Sequence, residues 1–414
     1  MFEVPDFYDP NSPRDLRVHR VTEDPKGASA VYPDRPSFLA DGRRFIVQTS
    51  TGPAICDLDA GAALYPVFTE DAPRSILCSP DGRYGYFTAS GQEDSGSLTV
   101  SRVDLETRHI EVVFHAEDRL PGADLPAKDF RMSTVSVDNR RVAGMVTIGD
   151  GQSADSQRCV VMLDLDSGQA NRVVANHDFN NPHLQYCRST DPEASHDLLI
   201  QMNHGAYLDE RTGQFIGLGP PADKGVDVHA VRDDGSNWRD LPFGRDGLES
   251  CIGHQIWRGQ DRSVVTVTLQ NLDTSYGWAE GSAQEAIAGW PVPADKDSPH
   301  LGRLHPGARR VDLSQGFTRP RFCHLACDAA GLRFAFDTFP IFDGERAGMQ
   351  LIVGSAADLE SPLRFTYLLN TQVTFNKSKG YHAHPILSPD GSILLFNSNL
   401  TGIPQVYLVT GFEW

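Results

Sequence analysis

Several features are missing from this 414-residue chain, and each absence narrows the reading. The N-terminus, Met1-Phe2-Glu3-Val4-Pro5-Asp6, has no basic segment followed by an apolar run, so no secretory leader is expected. No stretch reaches the ~20 apolar residues of a membrane-spanning helix. There is no Cys-x-x-Cys pair, and Cys323 with Cys327 is a weak metal spacing. The seven cysteines are scattered and odd in number, mostly in apolar runs. They are expected to be buried thiols, and the protein is expected in a reducing compartment, the cytoplasm. No Gly-x-Ser-x-Gly elbow occurs, and the last repeat ends close to Trp414, so no serine-hydrolase domain is expected. Basic charge is short: 37 Lys and Arg against 55 Asp and Glu leave −18. That balance argues against nonspecific binding to nucleic acid or to an anionic membrane. It leaves room for an anionic ligand at a locally basic site.

What the chain does have is punctuation. Glycine (37) and proline (27) are spread along its whole length, which fits many short strands with tight turns. The clearest unit is near the end. Tyr381–Leu387 runs into the turn Ser388-Pro389-Asp390-Gly391, an apolar run follows, and Gln405–Val409 gives a further strand. The same pattern recurs at Ile76–Phe87, with Ser79-Pro80-Asp81-Gly82, then Leu98–Asp104 and Ile110–Phe114. It recurs again around the turns at Asp41-Gly42, Asp138-Asn139, Asp191-Pro192, Gly259–Asp261 and Asp328–Gly331. A turn between two β-rich runs, then one or two more strands, is a four-stranded antiparallel blade. Seven such units predict an all-β fold, a seven-bladed β-propeller, with residues 1–414 as a single cooperative domain. Within residues 1–30, Leu16–Val21 reads as a strand that closes the ring against the last blade. Residues 275–306 read as a long insert over one end of the ring.

Aligning the units on their first turn brings out a second regularity. Arg74 stands seven residues before Asp81, and Arg131 seven before Asp138. His183 stands eight before Asp191, His254 seven before Asp261, and His324 seven before Gly331. His382 and His384 stand eight and six before Asp390, and Asp34 takes the matching place in the first unit. Innermost propeller strands start at one end of the channel, so these residues would form a rim there. A lone histidine at a strand start is usually a satisfied structural residue. Four consecutive units with one at the same offset, in a chain with 14 histidines, point to use. Convergent neutral imidazoles suit Mn, Zn, Ni or Fe. His382 and His384 are two apart, so on a strand both would face the same way, and with His324 they form a three-histidine set. The arginines would offer a bidentate grip on a carboxylate, sulfate or phosphate.

From residue 180 onward the chain resembles the oligogalacturonate lyases, seven-bladed propellers that split pectic oligouronides by β-elimination. The matching segments are Thr190-Asp191-Pro192 with Asn203-His204-Gly205, and Asp233-Asp234-Gly235-Ser236-Asn237. They continue with Glu249-Ser250-Cys251-Ile252-Gly253-His254-Gln255-Ile256-Trp257, Cys323-His324 with Asp337, and His382-Ala383-His384-Pro385. The resemblance implies His254 as catalytic base and His324, His382 and His384 as ligands of a divalent metal, manganese. The family's fourth ligand, a glutamine three residues before the His-x-His pair, is Lys379 here, with Asn376 nearby. The family's arginine before the Asp-Gly-Ser-Asn turn is absent, and Asp227 and His229 lie in that neighbourhood. The chain is therefore expected to be a divergent member.

The implied reaction needs a neutralised carboxylate, a base for the C5 proton and a donor for the leaving oxygen. His254 would be the base, and Arg131 or Arg74 would grip a carboxylate as part of the catalytic set. Arg74, His183, His204 and Tyr381 would bind substrate, with His183, His204 or Tyr381 as candidate acids. The expected partner is an anionic oligosaccharide, with neither nucleic acid nor membrane involved, and the protein a monomer or homodimer. Rival readings are a TolB-like scaffold, which has no use for the histidines, and another metal-dependent carbohydrate-active propeller enzyme. Propeller lactonases usually bring carboxylates to their metals, unlike this histidine-rich set.

Overall fold

Ser79-Pro80-Asp81-Gly82 shows how these residues make a blade turn. The Ser79 hydroxyl donates to Asp81 Oδ1 at 2.5 Å and accepts the Tyr84 N–H at 2.9 Å. Gly82 N–H closes the turn on Ser79 O at 2.9 Å, with Gly82 at φ +71°. A Cβ on Gly82 would fall 2.6 Å from the Phe38–Ala40 backbone, so only glycine fits. Ser388, Asp390 and Gly391 repeat the arrangement. At Ser136 and Asp138 the left-handed position is held by Asn139, at φ +60°.

The computed structural model describes residues 1–70, 73, 75–88, 96–149, 156–203, 207–209, 214–216, 226–241, 243, 249–270, 284–291, 311–313, 322–338, 341–343, 346–373 and 382–414. Among them there is no α-helix, only three short 3-10 turns at Pro5–Phe7, Ala127–Asp129 and Ala194–His196. The strands form antiparallel blades of a β-propeller. One four-stranded blade runs Ser29–Ala30, Arg44–Thr49, Gly52–Asp57, Ala63–Pro66. A second runs Leu77–Cys78, Tyr84–Thr88, Leu98–Asp104, Ile110–Ala116. A third runs Arg131–Val135, Arg141–Ile148, Gln157–Asp164, Gln169–Asn176. Another runs Phe322–Cys327, Arg333–Thr338, Gln350–Ser355, Arg364–Asn370. The last runs Ile386–Leu387, Leu394–Ser398, Gln405–Thr410, and then takes Arg17–Arg20 and Phe2–Glu3 from the N-terminus. Val18 pairs with Val409 and Arg20 with Tyr407, so the N-terminal strand adds to the last blade.

The remaining large sheet has eight strands. Gln185–Tyr186, Asp197–Asn203 and Val226–Arg232 (with Arg239–Asp240) meet Glu249–Trp257, Ser263–Gln270, Gln284–Pro291 and Val311–Asp312. The two groups join at one residue pair, Val226 with Cys251. Within the stretch 275–306, Gln284–Pro291 is a strand that pairs with Ser263–Gln270 along its whole length. Its sequence, Gln-Glu-Ala-Ile-Ala-Gly-Trp-Pro, has little alternation and few β-branched residues, so the pattern is weak. The rest of that stretch, with its other histidines and Trp278, lies outside the described residues.

The chain divides into two compact units. One comprises Met1–Gly85, Val103–His109 and Arg319–Trp414; the other comprises Tyr86–Arg102 and Ile110–Thr318. In the first unit one core packs Phe7, Val18, Leu351, Leu368, Phe396 and Tyr407, and a second packs Phe38, Phe45, Val47, Ile393 and Leu395. In the second unit Leu199, Val228, Phe243 and Trp257 form one core, and Phe179, Leu184, Leu198 and Ile200 another. Each such buried side chain contributes roughly 1.5–3 kcal/mol relative to exposure. All seven cysteines are free thiols, six of them buried and Cys327 half-buried.

Candidate functional site

In the first unit the site is built on a bulge. Phe322 pairs with Thr338 and Leu325 with Phe336. Cys323 and His324 therefore oppose a single residue, Asp337. A bulge re-aims the side chain it carries. Here it turns His324 onto Asp337: the backbone N–H reaches Asp337 Oδ1 at 2.7 Å, and ring Nδ1 lies 3.1 Å from both carboxylate oxygens. Asp337 is fully buried and also accepts the His384 N–H at 3.0 Å. One carboxylate thus ties together two stretches that are 47 residues apart at their far contact. Burial pushes the Asp337 carboxyl above its ordinary value, against the pull of His384 and the backbone N–H groups.

His382 and His384 complete the cluster, but not as expected. They do not lie on a strand, which begins only at Ile386, and His384 has left-handed backbone, φ +47°. Strand alternation therefore does not pair them. Their rings are nevertheless 5.4 Å apart and nearly parallel, at 17°. His324 stands edge-on to both, at 5.0 Å from His382 and 4.4 Å from His384. One ligand nitrogen from each ring lies within 4.8 Å of the others. Cys323, Met349, Val373 and Ala383 form a small apolar cluster at this end of the unit. Burial lowers the His382 pKa, which favours the neutral ring.

Tyr32, which the sequence reading passed over, stands edge-on to His384 at 4.9 Å and to His324 at 5.6 Å. Burial drives its phenol far above the ordinary value, so it stays protonated. Tyr32, His382 and His384 line a cavity of about 550 Å³ with Lys26, Gln48, Thr49, Asn397 and Asn399. That volume is within the range of small-molecule sites, ~300–1,000 Å³. Asp34 lies nearby in sequence, half-buried, with Arg35 at 3.9 Å.

The donor set fits a divalent cation. Three imidazoles converge, and a buried carboxylate orients one of them through Nδ1–H, which leaves its Nε2 lone pair for a metal.

The second unit holds His183 and His254. Their rings are 5.9 Å apart and nearly perpendicular, at 84°. His254 also lies in a bulge: Cys251 pairs with Thr268 and Gln255 with Thr266, so three residues oppose Val267 alone. Gly253 makes this possible, with φ +88° and the Gln201 amide 3.1 Å from where a Cβ would be. The Thr266 hydroxyl donates to His254 O at 3.0 Å. The bulge is held from Gln185–Tyr186 as well, where Gln185 Nε2 donates to Gln255 O at 2.8 Å. His183 has φ +42°, and its Nε2 lies 3.0 Å from Asn181 Nδ2. Arg131 opens its strand, exposed, with a guanidinium N–H on Lys128 O at 3.2 Å. His229 is buried and bonded to Asp240 at 2.8 Å, a structural role. Arg74, His204, Tyr381, Asn376 and Lys379 lie outside the described residues.

Fold and site together define a β-propeller with a carboxylate-oriented histidine cluster beside a cavity. Among solved structures the chain is similar to an oligogalacturonate lyase in complex with manganese: TM-score 0.64, 18% identity, 96% of this chain and 94% of that one. It is similar as well to the oligogalacturonate lyase of Vibrio parahaemolyticus: TM-score 0.65, 14% identity, 97% and 96% covered. No protein-family model matches the chain, and no curated protein sequence matches it. At these identities the likeness shows the fold, over nearly the whole chain.

Proposed function

We infer that this protein is a uronate lyase that cleaves an acidic oligosaccharide by β-elimination. The observation that carries the reading is the convergence of His324, His382 and His384 around one buried carboxylate, Asp337, beside a cavity of small-molecule size. The propeller shared with two oligogalacturonate lyases supports it. We take the eight-stranded sheet as two blades joined at the Val226–Cys251 pair, which gives seven blades in all.

His324, His382 and His384 would hold a divalent metal, manganese by analogy with the similar lyase. When bound, it would neutralise the uronate carboxylate and so acidify the C5 proton. The chain's own groups do the rest. His254, an imidazole, takes the C5 proton. Arg131 and Arg74 supply bidentate contacts to substrate carboxylates. His183, His204 and Tyr381 contact the sugar, and one of the three gives the leaving oxygen its proton as the C–O bond breaks. Asp337 fixes the ring and tautomer of His324 and the backbone of His384. A TolB-like scaffold would have no use for that buried carboxylate. Seven free thiols suit a reducing compartment, so we assign the protein to the cytoplasm.

The test is absorbance near 235 nm, where the 4,5-unsaturated product of elimination absorbs. The protein is offered a panel of uronic-acid oligosaccharides with Mn²⁺ or with chelator. A rise abolished both by chelation and by His254→Ala supports the assignment. A rise indifferent to chelator removes the metal from the scheme. No rise on any uronide refutes the lyase.

A further inference from the structure

We propose that Gln185 is the positioning residue of the His183–His254 pair, a single buried amide that sets the distance and angle between the two rings. The proposal rests on the lyase reading, in which His254 takes the C5 proton and His183 contacts the sugar, and it names the group that holds them for that work.

Both histidines stand where strand geometry is broken. His183 has left-handed backbone, φ +42°, just before Gln185–Tyr186, and His254 rides on the bulge between Cys251 and Gln255. A non-glycine residue keeps left-handed backbone only where its surroundings hold it. A bulge re-aims the side chain it carries, and that aim is only as firm as the flanks of the bulge. Gln185 serves both places. Its NH₂ has two hydrogens, and two carbonyl oxygens accept from it: His183 O at 3.3 Å and Gln255 O at 2.8 Å. Gln255 is where the ladder resumes after His254, opposite Thr266. One side chain thus ties the carbonyl of one histidine to the carbonyl next to the other.

The amide is itself held. Gln185 is buried, it pairs with Leu199 in the sheet, and its carbonyl accepts the Trp257 indole N–H at 3.1 Å. Trp257 is fully buried and stands two residues past Gln255, so the strand that Gln185 grips also grips Gln185. The Gln201 N–H on Pro182 O at 3.0 Å anchors the residue before His183, and the Thr266 hydroxyl on His254 O at 3.0 Å anchors His254. A buried amide costs free energy unless its polar atoms are bonded, and an apolar side chain of the same length would fill the space without that demand. What glutamine adds here is the tie between the two rings, which stand 5.9 Å apart at 84°. A misplacement of about 1 Å can cost ~100-fold in rate.

The experiment follows the ring contact and turnover together. The full chain is made with isotope-labelled histidine, nuclear Overhauser contacts between the His183 and His254 ring protons are recorded, and cleavage of trigalacturonate is followed at 235 nm. Gln185→Met keeps the length and removes both donors, and Gln185→Asn keeps an amide but withdraws it by one methylene. Each is expected to lose the ring contact and to lower kcat roughly 10–100-fold, with KM within about twofold of native. Tyr186→Phe is the control. It cuts a buried 3.1 Å bond to Asp233 at the next residue and should change neither readout. The inference is overturned if the native chain shows no ring contact, if a folded Gln185 variant keeps it, or if the contact is lost with kcat unchanged. It is overturned as well if Tyr186→Phe lowers kcat as far, or if neither Gln185 variant folds, which would make the residue structural. The lyase reading is judged separately. If the native chain gives no rise on trigalacturonate, the ring contact alone decides: its loss in the variants keeps Gln185 as the tie, and its survival overturns it.

Discussion

Replace Asp337 with asparagine. The side chain keeps its size, so no cavity opens. It loses its charge, and one of its two acceptor oxygens becomes an NH₂ donor. In the native protein both oxygens are used: Oδ1 takes the His324 N–H at 2.7 Å, Oδ2 takes the His384 N–H at 3.0 Å, and both lie 3.1 Å from His324 Nδ1. Whichever way the new amide turns, its NH₂ faces one of those N–H groups. A buried donor stranded in this way costs about 1–3 kcal/mol. The change should therefore lower the stability of the first unit by about 2 kcal/mol. It should also weaken divalent-metal binding, by a comparable free energy. His324 loses the acceptor that sets its tautomer, and loss of such an outer partner typically costs ~10–100-fold in metal affinity.

The assay is titration of Mn²⁺ into native and variant protein, followed by denaturant unfolding of each with and without the metal. The expected result is a 10–100-fold weaker affinity in a variant that still unfolds cooperatively. His382→Ala serves as the reference, because it removes a ligand outright and should abolish binding. If Asp337→Asn binds Mn²⁺ within about twofold of native while His382→Ala does not bind, the carboxylate does not orient the cluster. The second-partner reasoning then fails here.

Three other consequences are open to measurement. Asp197 and Arg239 are both fully buried, with paired contacts at 2.6 and 3.0 Å, and Arg262 adds 2.7 and 2.9 Å contacts to the same carboxylate. Asp197→Ala would strand the Arg239 charge and should cost about 3–5 kcal/mol in denaturant unfolding; a loss below about 1 kcal/mol would show that water reaches it. In the blade turn, burial raises the Asp390 pKa, but the Ser388 hydroxyl and the Ser392 N–H outweigh it, so the folded value lies below the ordinary one. The stability it contributes is full above the unfolded aspartate pKa, ~3.9, and is lost as pH falls through the folded value. Asp390→Asn should therefore flatten the acid limb of a stability–pH curve below about pH 4 and leave its slope near neutrality unchanged. Burial pushes the Cys56, Cys78 and Cys187 thiols up to about 12 and Cys159 up to about 11, so native protein should react slowly with a thiol reagent, with Cys327 the fastest. Rapid labelling of several thiols before unfolding would contradict the packing.

The parts of the fold that could be read from sequence are those whose chemistry is local. Leu98–Asp104 has its boundaries in the alternation of its own residues, and the Ser-Pro-Asp-Gly turns close through bonds within five residues. Outer strands are harder. Gln169–Asn176 buries few of its residues and shows no clean period, so nothing in Gln-Ala-Asn-Arg-Val-Val-Ala-Asn marks it as a strand before its partner Gln157–Asp164 is known. The same holds for Gln284–Pro291, which was read as loop.

The site shows the same division more sharply. The histidines could be found because they recur at one offset from a local turn. What holds them could not, because a bulge is a property of two strands. Only the pairing of Phe322 with Thr338 and of Leu325 with Phe336 reveals that two residues face Asp337. Sequence offset also gave a wrong reason for a right neighbourhood. His382 and His384 come together through left-handed backbone at His384, fixed by Asp337, and not through strand alternation. One signal was available. Arg333–Thr338 reads Arg-Phe-Ala-Phe-Asp-Thr, an apolar strand that ends on an acid, and that acid is fully buried. An ionisable group is tolerated there only if several donors converge on it. A buried aspartate thirteen residues after a candidate ligand therefore implies that the ligand is one of those donors, an inference the strand pattern alone could have supported. Tyr32 offered no such signal. It is held at the cavity by its packing on His324 and His384. The residues proposed to do chemistry were legible where they repeat, and the residues that position them became visible only through contacts made across the closed blade.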